Sequence, residues 1–326
     1  TKFKQTEIGK IPEEWEIKEL GEIANFQYGL GESAKEKGEL IYIRITDIGS
    51  DGFLKRKNLA FIEKEKVKEN QILKKGDVLV ARTGASFGKT YLFNEDFKAT
   101  YGGFLIRFLF NNKLIDNNFY FQFSRSNLYW NQANNLVSGG AQPQFNANII
   151  KSLIVPLPSL TEQKKIAKIL SDLDFKIELN NKMNNTLEFI GQALFKKWFV
   201  DERKEEWEIT SLDKIAEFLN GLALQKYPAK PEENYLPVIK IRELREGITS
   251  SSDKANLDLP KKYLVNNGDI LFSWSGSLEV VIWSNGKGAL NQHLFKVSSE
   301  KYPKWFYYFW TKHYLPEFRN IAEDKA

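Results

Sequence analysis

Glu13-Glu14-Trp15-Glu16-Ile17 returns as Glu205-Glu206-Trp207-Glu208-Ile209, 192 residues further along the chain. The same offset carries Gly21-Glu22-Ile23-Ala24-Asn25-Phe26 onto Asp213-Lys214-Ile215-Ala216-Glu217-Phe218. It also carries Lys74-Lys75-Gly76-Asp77-Val78-Leu79 onto Asn266-Asn267-Gly268-Asp269-Ile270-Leu271. After a small insertion Ile43-Arg44-Ile45 falls on Ile239-Lys240-Ile241, and Phe119-Tyr120-Phe121 falls opposite Phe306-Tyr307-Tyr308. Solenoid repeats have periods of roughly 20–50 residues; this one is far longer and marks a duplicated domain. Each copy reads as mixed α and β. Ile41, Ile43 and Ile45 alternate with polar or amphipathic neighbours, the period of a half-buried strand. Its counterpart buries Ile239 and Ile241, so Arg44 and Thr46 in one copy and Lys240 and Arg242 in the other are expected on an exposed strand face. Gly76-Asp77 and Gly268-Asp269 read as turns into further strands, and Asn117–Asn131 and Lys304–Leu315 as the clearest helices.

Between the copies the pattern changes. Pro156-Leu157-Pro158 is an extended stop, because proline restricts the residue before it. Ser159-Leu160-Thr161-Glu162 has capping-box spacing. From there to about Phe199 there is no proline, and the only glycine is Gly191. The segment predicts one helix about 60 Å long. Its seven-residue rows place Ile166, Leu173, Leu187 and Leu194 with Leu170, Ile177 and Trp198, interrupted by Asn180 and Asn184. Polar residues in such a seam fix register and partner choice at a cost in stability. The expected architecture is α+β: two duplicated mixed α/β domains, 1–155 and 201–326, joined by a coiled-coil-type helix over 156–200.

Composition narrows the chemistry. The 326 residues are 42% hydrophobic and 27% charged, enough for sizeable cores in about two domains. No apolar run reaches the ~18 residues of a membrane helix, and the polar first residues show no signal peptide, so a cytoplasmic location is expected. There is no cysteine, which excludes disulfides and thiolate chemistry, and only two histidines, His293 and His313. A net charge of +5 allows a polyanionic partner without demanding one. Gly84-Ala85-Ser86-Phe87-Gly88-Lys89-Thr90 imitates a phosphate loop, but it has three residues between its glycines where that motif needs four. The second copy, Gly276-Ser277-Leu278-Glu279-Val280, has no Gly-Lys-Thr. No Asn-Pro-Pro-aromatic motif of an adenine methyltransferase is present, and no metal site is expected.

Pro156-Leu157-Pro158-Ser159-Leu160-Thr161-Glu162-Gln163-Lys164-Lys165-Ile166-Ala167 closely resembles the central conserved region of specificity subunits of type I restriction–modification systems. So do Thr186-Leu187-Glu188 and Ala193-Leu194-Phe195-Lys196-Lys197-Trp198-Phe199, and Ile8-Gly9-Lys10-Ile11-Pro12-Glu13-Glu14-Trp15 resembles the segment that opens those proteins. The resemblance implies two target-recognition domains, each reading half of a bipartite site in double-stranded DNA. It implies conserved helices that separate them and bind two methyltransferase subunits. S-adenosylmethionine, ATP and magnesium would then sit on those and on the restriction/translocase subunits, and the specificity subunit itself would hold no cofactor and catalyse nothing.

Base readers are expected at equivalent places in both copies but with different side chains, since phosphate contacts position a protein and base contacts specify the sequence. Three places qualify. The first is the strand face of Arg44 and Thr46 against Lys240 and Arg242. The second is the loop after the Gly-Asp strand, with Arg82, Thr83 and Ser86 against Trp274, Ser275 and Ser277. The third sets Tyr101-Gly102-Gly103 against Asn291-Gln292-His293, where Gln292 has the geometry for adenine. Lys89 suits a phosphate. In Ser138–Phe145, Gln142 and Gln144, with Asn146 beyond, are candidates for DNA contact or for a hinge. For each residue singly, a solvated or structural role competes with readout.

The first copy runs on from its aromatic helix into the long helix, whereas the second stops at Ala326. The expected second conserved helix is not in these residues. The apolar rows are therefore expected to pair with another chain, as a homodimer or complementing chain through residues 160–199. Two rival functions are an ATP- or S-adenosylmethionine-dependent DNA-modifying enzyme carrying these recognition domains, and a truncated scaffold without sequence readout.

Overall fold

The computed structural model describes residues 2–49, 52–56, 58–137, 145–229 and 234–323. The chain forms two compact units, Thr1–Lys182 and Met183–Ala326, the division falling within the long helix.

In the first unit, a four-stranded antiparallel sheet runs in the order Ala24–Tyr28, Leu105–Phe110, Asp77–Ala81, Thr90–Phe93. Beside it lies a three-stranded sheet ordered Ala60–Ile62, Leu40–Ile43, Ala99–Tyr101, the last two strands parallel with Ile43 opposite Tyr101. Its core gathers Val78, Val80, Ile106 and Phe108 from the sheet with Phe119, Tyr120 and Phe123 from helix Asn117–Phe123. The second unit repeats the plan. Its first sheet is ordered Glu217–Asn220, Leu294–Ser298, Ile270–Ser273, Val280–Ile282. Its second contains the parallel pair Leu236–Ile239 and Gly288–Leu290, with Ile239 opposite Leu290.

The Gly-Asp turns behave as expected, and identically. Gly76 and Gly268 hold φ of +89° and +88°, the left-handed region that glycine tolerates best. Asp77 Oδ2 accepts the Lys74 amide at 2.7 Å, and Asp269 Oδ2 accepts that of Asn266 at 2.9 Å. Each aspartate also holds a cation from the neighbouring strand, Arg107 at 3.2 Å and Lys296 at 2.8 Å.

The expected exposed strand face is not there. The ladder ends at Ile43 and at Ile239, and the chain turns into the 3-10 helix Ile45–Asp47 and the α-helix Ile241–Glu246. An acid three residues on drives each turn: Asp47 Oδ2 accepts the Arg44 amide at 2.8 Å, and Glu243 Oε2 accepts that of Lys240 at 3.1 Å. A capping carboxylate that satisfies the amide outcompetes continuation of the strand. Arg44, Thr46, Lys240 and Arg242 therefore stand at strand exits, not on a strand face.

The reading of one helix over Asn117–Asn131 also resolves into two, Asn117–Phe123 and Asn127–Val137, and its counterpart into Lys304–His313 and Leu315–Glu323. The long helix spans Leu160–Lys196, 37 residues or about 55 Å, and closes in a π-helical turn, Lys197–Asp201. Ser159 Oγ caps the Glu162 amide at 3.3 Å. Glu162 does not reach back; its Oε1 accepts the Trp15 indole N–H at 3.3 Å instead. Within the first unit, buried Gln163 bonds the backbone of Leu114, Asp116 and Pro158, and Ile166 packs on the core. Within the second, Phe195 packs against Phe306, Phe309 and Trp310. Leu170, Leu173, Ile177, Leu187 and Leu194 are exposed, as are Asn180 and Asn184.

Candidate nucleic-acid interface

Both units build the same backbone frame at the C-terminal end of their parallel strand pair. In the first, Gly29 N–H donates to Leu105 O at 3.0 Å, Leu30 to Tyr101 at 2.9 Å, Gly103 to Leu30 at 2.6 Å, and Gly102 to Ile43 at 2.9 Å. In the second, Gly221 donates to Leu294 at 3.0 Å, Leu222 to Leu290 at 3.0 Å, Gln292 to Leu222 at 2.9 Å, and Asn291 to Ile239 at 3.2 Å. The two chains pass so closely that a Cβ on Gly29 would lie 2.2 Å from Gly102 O, and one on Gly221 2.2 Å from Asn291 O. This frame corrects one sequence pairing. Asn291-Gln292-His293 corresponds to Gly102-Gly103-Phe104, one residue later than the expected Tyr101-Gly102-Gly103, because the second unit is three residues shorter between Arg82 and Phe104 than the constant offset implies.

A cleft opens on the frame in each unit. The first, about 660 Å³, is lined by Leu30, Tyr42, Arg44, Thr46, Gly103 and Phe104 among others. The second, about 280 Å³, is lined by Leu224, Val238, Lys240, Asp253 and Asn291 among others. Tyr42 and Val238 are equivalent, as are Arg44 and Lys240. Burial pushes the Tyr42 hydroxyl up, and it donates to the Leu30 carbonyl at 2.6 Å, which fixes the cleft wall.

The cations at the cleft mouths are largely spoken for. Arg44 Nε and Nη2 bond both oxygens of buried Asp47 at 3.0 and 2.8 Å, and Nη2 also reaches Asn58 O at 3.1 Å. With Nη2 committed twice, the Nη1–Nη2 fork that pairs with guanine is unavailable; Nη1 remains for a phosphate. Arg242 is tied likewise to Glu243 and to Ser251 O, and the Lys240 ammonium pairs with Asp253. Burial pushes the Glu243 carboxyl up, but hydrogen bonds from Arg242, Ser252 and the Lys240 amide hold it below the usual carboxylate range. Thr46 is exposed at the cleft.

Arg82 is different. Its amide donates to Phe104 O at 3.0 Å, and its guanidinium sits over the Tyr28 ring, 5.3 Å from the centroid. The guanidinium has no hydrogen-bond or ion-pair partner among the described residues. The equivalent of Arg82 is Trp274, and that of Tyr28 is Asn220. Trp274 Nε1 donates to Asn220 Oδ1 at 3.3 Å and to Gln292 O at 3.2 Å, and its ring lies 6.1 Å from that of His293. Ser275 Oγ and His293 Nδ1 lie 3.0 Å apart. Trp274, Ser275, Gln292 and His293 are thus brought together. So are Arg82, Tyr28 and Phe104, the last 59% exposed.

Thr83 and Ser86 bound the 3-10 turn Gly84–Ser86, and Lys89 follows it, partly exposed, its ammonium without a partner among the described residues. Ser277 is exposed on the shorter counterpart loop, where its carbonyl accepts Ser273 Oγ at 2.6 Å. The phosphate-loop lookalike runs from Asp77–Ala81 into the antiparallel strand Thr90–Phe93, not into a helix, so no helix N-terminus faces a phosphate there. Gln142 and Gln144 lie outside the described residues. Asn146 caps helix Ala147–Lys151, its Oδ1 accepting the amides of Asn148 and Ile149. Tyr28, Asn220, Asp47, Glu243 and Phe104 were missed. The constant offset could have found the first pair, since residue 28 shifted by 192 is residue 220.

The type I restriction modification DNA specificity domain family matches residues 12–189 and 204–321. The type I restriction enzyme MjaIX specificity subunit of Methanocaldococcus jannaschii is 27% identical over 305 residues, 85% of this chain and 69% of that protein. The EcoKI specificity subunit of Escherichia coli is 26% identical over 306 residues, 84% of this chain and 64% of that protein. The crystal structure of the type I restriction–modification S subunit from M. genitalium shares the fold at a TM-score of 0.53 and 14% identity, over 95% of this chain and 79% of that one. Two matched regions covering most of the chain, on two units built to one plan, place it in the type I restriction–modification DNA specificity family.

Proposed function

We propose that this chain is the DNA-reading subunit of a type I restriction–modification complex, with each unit reading one half of a bipartite site. One observation carries the reading. The two units share a hydrogen-bonded frame atom for atom, yet present Arg82 on Tyr28 in one and Trp274 on Asn220 in the other. A common frame docks both units on duplex in the same way; different side chains select different bases. Arg82, Thr83, Ser86, Trp274, Ser275, Gln292 and His293 are the proposed base-side contacts, and Lys89, Arg44, Lys240 and Arg242 the proposed phosphate contacts. The long helix would carry two methyltransferase subunits and a pairing chain on its exposed rows, and the restriction/translocase subunits would join that complex. Adenine methylation, S-adenosylmethionine, ATP and magnesium belong on those partners, with no catalysis by this chain. The strand-to-strand setting of Gly84–Thr90 weighs against the rival nucleotide-dependent enzyme.

The test is to express the chain with its methyltransferase in cells lacking other methylation and to map methylated adenines. A two-part motif with a fixed gap is expected, and Arg82→Ala should relax one part only. A single contiguous motif, or methylation indifferent to sequence, would overturn the proposal.

A further inference from the structure

The two units put chemically different side chains at the same post of the shared frame. In the first, residue 82 is an arginine lying on the Tyr28 ring, a side chain whose tip carries only hydrogen-bond donors. In the second, the equivalent Trp274 has one polar side-chain atom, the indole N–H. That N–H is turned inward. It donates at 3.3 Å to Oδ1 of Asn220, the equivalent of Tyr28, and at 3.2 Å to the Gln292 carbonyl. What the ring then presents outward is carbon. Two other rings hold it in place, Phe295 at 6.0 Å and His293 at 6.1 Å between centroids, and the Trp274 amide donates to His293 O at 3.4 Å. Trp274 is 42% exposed, so more than half of it is covered. An apolar wedge that parts a base step has to enter between the bases. Trp274, backed by two rings, is a fixed wall instead, placed to meet the edge of a base.

Granted the DNA reading proposed above, on which this rests, we infer that Trp274 recognises the 5-methyl group of a pyrimidine in the major groove. Thymine is then the preferred base at one position of the second half-site. Base edges in that groove are otherwise rows of hydrogen-bond donors and acceptors, and the thymine methyl is the apolar group among them. A donor or acceptor set against the carbon face of Trp274 loses its water and gains no partner, whereas a methyl group gains burial. The ring does not distinguish the pyrimidine's remaining edge groups, so 5-methylcytosine offers it the same contact as thymine and cytosine does not. At that position the second half-site is accordingly sensitive to cytosine methylation.

The test is equilibrium binding of the full chain, with its methyltransferase, to duplexes carrying the mapped two-part site. The second half-site is the part that Arg82→Ala leaves unchanged. Each thymine in it is replaced, one position at a time, by deoxyuridine, by cytosine and by 5-methylcytosine. At one thymine, loss of the methyl group should weaken binding about fourfold, the worth of one buried methyl-sized group, and 5-methylcytosine should bind about fourfold better than cytosine. Trp274→Ala, and as a second variant Trp274→Gln, should erase both differences. Their retained preference at the first half-site checks that they are folded, and the thymine-to-deoxyuridine comparison on the unaltered chain needs no variant. Three results would overturn this inference and leave the DNA reading standing: deoxyuridine bound as well as thymine at every position, differences that persist in the folded variants, or a mapped second half-site with no thymine on either strand. Equal binding to the mapped site and to a scrambled duplex would overturn both.

Discussion

Arg82→Ala isolates the base-reading role of one side chain. The guanidinium lies on the Tyr28 ring and has no internal hydrogen bond among the described residues to lose, so its removal leaves no buried group unpaired. If it pairs bidentately with guanine, the substitution should cost about 1–3 kcal/mol, or about 5- to 150-fold, on the preferred duplex. The cost should vanish on duplexes whose first half-site is already wrong at that base. Tyr28→Leu removes the platform, together with the hydroxyl that accepts the Ala147 amide at 3.2 Å, and loss of the platform should cost about 0.5–1 kcal/mol without changing the preferred base. The assay is equilibrium binding to duplexes carrying the mapped site, with each half randomised in turn and at two salt concentrations. A uniform loss on every duplex, with the salt slope falling by about one, would make Arg82 a phosphate contact and refute the reasoning.

The Lys89 ammonium has no internal partner among the described residues, and Lys89→Ala should lower affinity on all sequences and reduce the slope of log affinity against log salt by about 0.9; an unchanged slope would remove it from the interface. Asp47→Ala strands the Arg44 amide and guanidinium and should cost about 2 kcal/mol in urea unfolding, the partial exposure of Arg44 keeping it at the low end. Burial pushes the Glu188 carboxyl up, but hydrogen bonds from Lys312, Tyr308 and Gln192 hold it below its ordinary value. A depressed pKa means that this stabilisation is complete above the unfolded-state pKa and disappears as pH falls through the folded one. Glu188→Gln should therefore lower stability at neutral pH and flatten its acid-side slope, measured by thermal unfolding between pH 3 and 7; parallel curves would rule this out.

The duplication, the Gly-Asp turns and the long helix were legible because each follows from local chemistry: a repeated register, a left-handed glycine, an unbroken run without proline. The strand exits were not. Ile41, Ile43 and Ile45 carry strand periodicity past the point where Asp47 captures the Arg44 amide, and nothing in that alternation signals the capture. The carboxylate partners of Arg44 and Arg242 were hidden for the same reason, since they become visible only with the turn in place. The reciprocal cap expected of Glu162 was taken by Trp15, a partner 147 residues away. Tyr28 and Asn220 escaped notice because they close their strands ahead of Gly29 and Gly221, where a sequence shows a strand end and not a platform.

At the frame, the loops that follow Asp77–Ala81 and Ile270–Ser273 differ in side chains and in length between shared anchors. Ala81 N–H bonds Lys89 O at 2.9 Å, and Ser273 N–H bonds Glu279 O at 2.9 Å, so the two loops rejoin their sheets through the same backbone bond although the second is two residues shorter; in the second, Ser273 Oγ also donates to Ser277 O and accepts the Glu279 amide. Backbone hydrogen bonds do not register side-chain identity, so the loops should be exchangeable. Replacing Ala81–Gly88 by Ser273–Leu278, which carries the Ser273 anchor with the loop, together with Tyr28→Asn, should leave the first unit folded. The new Trp side chain would find the same acceptor that Trp274 has in Asn220. The first half-site should then take on the preference of the second at the base this loop meets, while the second half-site stays unchanged. Retention of the original preference by the folded graft would mean that bases are selected elsewhere on the frame, with Gln292 and His293 and their counterparts Gly103 and Phe104 the next positions to exchange.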